Sequence, residues 1–133
     1  MRIIFLFLSA ALVLAGCATR STIQSRKQER QAVYAALSPE QKEMVDHGQI
    51  KVGMTEEAVY IAMGQPDQIL HNENEAGSTA TWAYAGQWME ETRYWTRRGF
   101  MTRDYFPRSY VSAEIIFQNG KVVRWQTLPR PGY

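Results

Sequence analysis

The sequence predicts a small α+β domain behind an export signal. Three observations carry that prediction: an apolar opening run ending at Cys17, two capped helix signals between Ser38 and Gly64, and three strand signals after Gly77. Helix signals first and strand signals after them are the order of an α+β chain, not of an alternating one. The 133 residues suffice for one domain with a tail and exclude a multidomain enzyme. One cysteine excludes an internal disulfide and, with only two histidines, a Cys-rich zinc site. Fifteen basic against 13 acidic residues give no strong bias toward nucleic acid.

Thirteen of the first sixteen residues are hydrophobic, with one positive residue, Arg2, ahead of the run. Ile3 to Ala15 would make about 20 Å of helix, short of the ~30 Å hydrocarbon core, which fits a signal peptide better than a transmembrane anchor. Leu14-Ala15-Gly16-Cys17 resembles a bacterial lipobox. The resemblance implies diacylglycerol on the Cys17 thiol, cleavage before it and an acyl chain such as palmitate on the new amine. The other reading, an incidental cysteine, would leave an exposed thiol in an oxidising compartment. Three acyl chains anchor effectively permanently. Ala18 stands where an Asp would signal inner-membrane retention, so the expected location is the periplasmic face of the outer membrane.

Ala18 to Gln31 is polar and its first part reads as a tether, with a short helix expected from near Ser25 to Ala36. Ser38-Pro39-Glu40-Gln41 starts the next helix: Ser38 caps, Pro39 fits the first turn and Gln41 completes a capping box. Met44 and Val45 should face inward, and Gly48 stops the helix. Thr55 caps a further helix with Glu56 and Glu57 in its first turn. Ala58, Val59, Ala62 and Met63 form its expected buried stripe, and Gly64 and Pro66 end it. His71 to Gly77 reads as a polar loop. Thr79 to Ala85 reads as a strand with Trp82 and Tyr84 on one face, and Val111–Phe117 and Lys121–Gln126 as two more strands.

Asn119-Gly120 marks the last two strands as a hairpin. A two-residue loop would pair Gln118 with Lys121, and so Ile115 with Arg124. A three-residue loop with a bulged Gly120 would pair Phe117 with Lys121, Ile115 with Val123, Ala113 with Trp125 and Glu114 with Arg124. The second register gathers the apolar residues on one face and sets opposite charges together on the other, so it is the one expected.

The segment Ile50-Lys51-Val52-Gly53-Met54-Thr55, followed by Val59, Gly64 and Pro66, resembles the opening motif of the SmpA/OmlA (BamE-like) family of small outer-membrane lipoproteins. Trp82-x-Tyr84 and the terminal hairpin resemble the family's strands, so the likeness spans about Leu37 to Gln126. It implies two helices packed on a three-stranded antiparallel sheet. It also implies a non-enzymatic accessory role in outer-membrane β-barrel assembly, binding other subunits and anionic lipid. The motif residues Gly53, Met54, Thr55, Gly64 and Pro66 read as structural: a tight turn, a staple, a cap and a stop. The domain also resembles β-lactamase-inhibitor-like modules. The expected organisation is a signal peptide over 1–16, lipidated cysteine, tether and short helix over 17–36, the domain over 37–128, and a tail over 129–133.

The chain departs from the family at 86–110, where the family's link is shorter; this points to a paralogue with an insertion. That stretch is rich in aromatics and arginines, the residue types most enriched at interface hot spots. Trp88, Arg93, Tyr94, Trp95, Arg97, Arg98, Phe100 and Tyr105 are the candidate partner-binding residues. Two other readings stand beside this one: the segment extends the sheet and stacks its aromatics on the core, or it faces lipid or glycan. No Ser-His-Asp order, metal spacing or phosphate loop is present, so neither an enzyme nor a cofactor beyond the covalent lipid is expected. Glu90 and Glu91 read as local partners for arginine, and Asp104 has no evident partner. The expected function is a lipid-anchored periplasmic scaffold for envelope proteins. The alternative is an envelope lipoprotein that binds or inhibits a periplasmic enzyme through the aromatic and arginine segment.

Overall fold

A computed structural model describes residues 21–74 and 77–132. The expected signal peptide and Cys17 lie outside these residues. The order is α1 (Ile23–Glu29), α2 (Gln31–Ala36), α3 (Pro39–Asp46), α4 (Glu56–Met63), β1 (Gln68–Asn74), β2 (Gly77–Trp95), β3 (Met101–Gln118) and β4 (Lys121–Thr127). The strands form one antiparallel sheet in the order β1-β2-β3-β4. The α+β class is as expected; four helices and four strands replace the two and three of the resemblance. None of the described helices is long and apolar enough to cross a membrane.

The capping signals act as the residues dictate. The Gln41 N–H donates to Ser38 Oγ at 3.2 Å and the Ser38 N–H to Gln41 Oε1 at 3.3 Å, closing the box at the start of α3. The Ala58 N–H donates to Thr55 Oγ1 at 3.3 Å, starting α4. The buried side of α4 is Ala58, Val59, Ile61 and Ala62, so Ile61 takes the place expected for Met63, which is half-buried. Two corrections concern the N-terminal region. Ser21 onward is not a tether, because Thr22 and Ser25 form a capping box of their own and open α1. The single helix expected to Ala36 is broken at Arg30, whose φ of −114° and ψ of 41° leave the helical range.

Val45, Met54, Val59, Ile61, Ile115, Phe117 and Val122 are fully buried between helices and sheet. Trp82 packs on Phe117 with ring centroids 4.8 Å apart. Met54, the expected staple, is part of this core together with Val59 of α4. Its backbone is held as a short ladder, with the Gly53 N–H donating to Val122 O at 2.7 Å and the Val122 N–H to Met54 O at 2.9 Å. Gly53 has a φ of +91°, which favours glycine at this turn.

Residues 71–74 are strand, not loop: β1 pairs Gln68 with Ala83 through to Asn74 with Gly77. The strand hid in the sequence because it lies at the sheet edge, exposed on both faces, and so lacks apolar alternation. The hairpin register also differs from expectation. Asn119 and Gly120 both have positive φ, 49° and 74°, giving a two-residue loop with Gln118 opposite Lys121. The extra residue sits on β4 at Val123, where the register shifts between Ile116 and Phe117, so Ile115 faces Trp125 and Glu114 faces Gln126. The bulge keeps Val122 opposite Phe117 in the core and leaves Val123 exposed.

Candidate interaction site

Residues 86–110 do not fold back on the core. They continue β2 and β3 as a two-stranded ribbon beyond the last partners of β1 and β4. Ten residues from Gly86 to Trp95 reach about 30 Å at strand rise. The expected sheet extension is therefore correct, and the stacking of its aromatics on the core is not. Trp95 and Phe100 are each 69% exposed, and Tyr94, Met101, Tyr105 and Phe106 are exposed as well.

The base of the ribbon is built around Gly86. A Cβ there would lie 2.7 Å from the Tyr110 ring, so the ring covers the space the glycine leaves empty. Tyr110 and Gly86 are direct cross-strand partners, one step beyond the bulge that leaves Ser112 unpaired. Ser112 Oγ donates to Tyr84 O at 3.0 Å, and the Leu128 N–H donates to Ser112 O at 2.8 Å. The tail then crosses the ribbon, placing the Arg130 guanidinium 5.6 Å from the Trp88 ring centre.

Alternation divides the ribbon into two faces. One presents Trp88, Glu90, Thr92 and Tyr94, with Arg108, Phe106, Asp104 and Thr102 opposite. There Arg108 Nε donates to Glu90 at 2.7 Å and Tyr94 Oη to Asp104 at 2.7 Å, so Asp104 has a partner after all. This bond to a carboxylate raises the Tyr94 phenol pKa. The other face presents Met89, Glu91, Arg93 and Trp95, with Pro107, Tyr105, Arg103 and Met101 opposite. Glu91 bonds Arg93 and lies 3.7 Å from Arg103, and the Arg93 guanidinium holds its carboxyl below the usual range. The tip is a closed turn, with the Thr96 N–H donating to Phe100 O at 2.8 Å and the Gly99 N–H to Thr96 O at 3.0 Å. Arg97 and Arg98 stand on that turn.

The eight candidate residues therefore share one protrusion without forming one cluster. Trp88 lies at its base, Tyr94 on one face, Arg93, Trp95 and Tyr105 on the other, and Arg97, Arg98 and Phe100 at the tip. Sequence reasoning missed Met89 and Met101, which add exposed apolar surface; strand alternation extended from Trp82 would have placed them. Gly53, Met54, Thr55, Gly64 and Pro66 lie on the core side, away from the ribbon. Around Gly64 three elements meet: Tyr84 Oη donates to Gly64 O at 3.0 Å, and Arg26 lies against the same glycine. Burial raises the Tyr84 phenol pKa. No group of three or more metal-ligating side chains occurs among the described residues.

No family model, no curated protein and no solved structure matches the chain.

Proposed function

We propose that the protein is a lipid-anchored periplasmic interaction module at the outer membrane, held by acyl chains on Cys17 and docking envelope proteins through the 86–110 ribbon. The observation that carries this is the ribbon itself. Large aromatics that a small domain would ordinarily bury stand exposed beside arginines on an arm outside the core. The lipobox-like Leu14-Ala15-Gly16-Cys17 supports the anchor, and the likeness of 50–66 to the SmpA/OmlA motif supports a place in β-barrel assembly as a paralogue with an added arm. The acidic groups of the ribbon are engaged by Arg or Tyr at its surface.

Crosslinked pull-down from membranes tests the reading, comparing the parent chain with a Tyr94→Ser, Trp95→Ser, Phe100→Ser variant. The expected result is recovery of barrel-assembly subunits by the parent and their loss from a variant that still folds. Recovery of a soluble periplasmic hydrolase instead would favour an inhibitor. Equal recovery by both chains would remove the ribbon from the function.

A further inference from the structure

Among the described residues, no strand neighbours the outer edge of β2 beyond Ala85. Pairing with β1 stops at Gln68 opposite Ala83, the Asp67 N–H donates to Ala83 O at 3.0 Å, and the Ala85 N–H is taken by the Asp67 carboxylate at 2.7 Å. Ala83 and Ala85 thus turn their backbone polar groups toward this edge. The bulge lies on β3, so alternation along β2 gives the same orientation to Gln87, Met89, Glu91, Arg93 and Trp95. The other edge of the ribbon carries Pro107, which has no N–H and blunts strand addition there. The β2 edge carries no proline.

We infer that two copies of this chain pair through this edge, β2 against β2, antiparallel about a two-fold axis at Thr92. The residue order Met89-Glu90-Glu91-Thr92-Arg93-Tyr94-Trp95 is complementary to itself in that register. Glu91 falls opposite Arg93 twice, Met89 opposite Trp95 twice, Glu90 opposite Tyr94 twice, and Thr92 opposite Thr92. Centring on Glu90, Glu91 or Arg93 sets that charge against itself, and centring between residues pairs an outward-facing backbone with an inward-facing one.

The pairing also resolves a conflict within one copy. Arg93 faces Arg103 directly across the ribbon, a like-charge pair served by the single carboxylate of Glu91. In the dimer the second copy's Glu91 reaches the free side of Arg93. The same face gains two apolar rows four strands wide, Pro107 and Met89 of one copy followed by Trp95 and Met101 of the other. Met89, Trp95 and Met101 are among the most exposed apolar side chains of the protein. The inference stands on the β2 edge alone and holds whether or not the chain is lipidated or docks an envelope protein.

The test uses the full chain in its membranes and in detergent. At a non-hydrogen-bonded antiparallel pair the Cα atoms lie about 4.5 Å apart, within disulfide reach. Thr92→Cys is therefore expected to give a disulfide-linked dimer under mild oxidation, while Glu90→Cys gives no more than the parent with Cys17. In sedimentation, Glu91→Arg and Arg93→Glu are each expected to weaken the dimer about tenfold, as two attractive pairs become repulsive. An equimolar mixture of the two should restore it. Thr92→Cys changes no charge and so reads the pairing even if a reversal disturbs the ribbon. A parent that stays monomeric, equal crosslinking at residues 90 and 92, or no recovery on mixing would overturn the inference.

Discussion

The Arg26 guanidinium closes the carboxyl end of α4: Nε donates to Ile61 O at 2.9 Å and Nη2 to Ala62 O at 3.1 Å. Its Nη1 donates to Ser21 O at 2.8 Å, so one side chain ties the first described residue to the helix that follows Gly53-Met54-Thr55. It is the one buried charged side chain among the described residues, 5% exposed. Cations are favoured at a helix C-terminus, and charge-assisted bonds are the strong ones. Arg26→Ala should cost about 3 kcal/mol in chemical denaturation, since it leaves buried carbonyls unpaired. Arg26→Lys, with a point charge in place of the fork, should recover less than half of that.

Phe117 and Trp95 are both large aromatics with opposite consequences. Phe117→Ala removes a fully buried ring and should cost about 3–5 kcal/mol. Within one copy Trp95→Ala should stay within about 0.5 kcal/mol, because there the residue contributes surface and not packing. Thermal and denaturant unfolding of the two variants checks both values.

Gly86 and Tyr110 form a coupled pair. Gly86→Val must push the Tyr110 ring aside and should destabilise the ribbon base by about 1–3 kcal/mol. Tyr110→Ser opens that space, so the double variant should be less destabilised than the sum of the single ones. Additive costs would show that the ring does not rest on the glycine.

Asp46 accepts from Lys27 Nζ at 2.8 Å and from Tyr34 Oη at 2.9 Å, joining α1 and α2 to α3. The Lys27 ammonium holds its carboxyl below the usual value. A depressed carboxylate stabilises above its unfolded pKa of about 3.9, and that stability is lost as pH falls through the folded value. The same pair raises the Lys27 pKa, so the amine's contribution is present below about pH 10.4 and is lost above it. Asp46→Asn should therefore lower stability between those limits and converge with the parent beyond them, flattening the pH profile. NMR titration of the Asp46 carboxyl checks the acid side: a midpoint at or above about 3.9 would contradict it.

The parts of the fold that sequence revealed are those set by local chemistry. Ser38 and Thr55 are caps because their hydroxyls reach the first free N–H groups, and Asn119-Gly120 turns because both residues accept positive φ. What stayed hidden depends on the rest of the structure. Arg26 looks like one more charge in a polar stretch until α4 offers it two carbonyls. Residues 68–74 show no pattern because an edge strand exposed on both faces needs none. The hairpin bulge sits at Val123 because Val122 is claimed by Gly53 and Met54, a constraint from distant residues. For the candidate site, the aromatic and arginine composition was legible; whether those residues packed inward was not, since that turns on where β1 and β4 stop.

The central claim is that the ribbon is an arm for docking and not a part of the core. Joining Ala85 to Val111, which are cross-strand partners, through Asn-Gly in place of residues 86–110 removes the arm at its base. Unfolding and membrane pull-down on that one shortened chain test the claim most directly. The account predicts a domain that still folds cooperatively and no longer captures its envelope partner. A chain that fails to fold, or one that captures the partner as before, would contradict it.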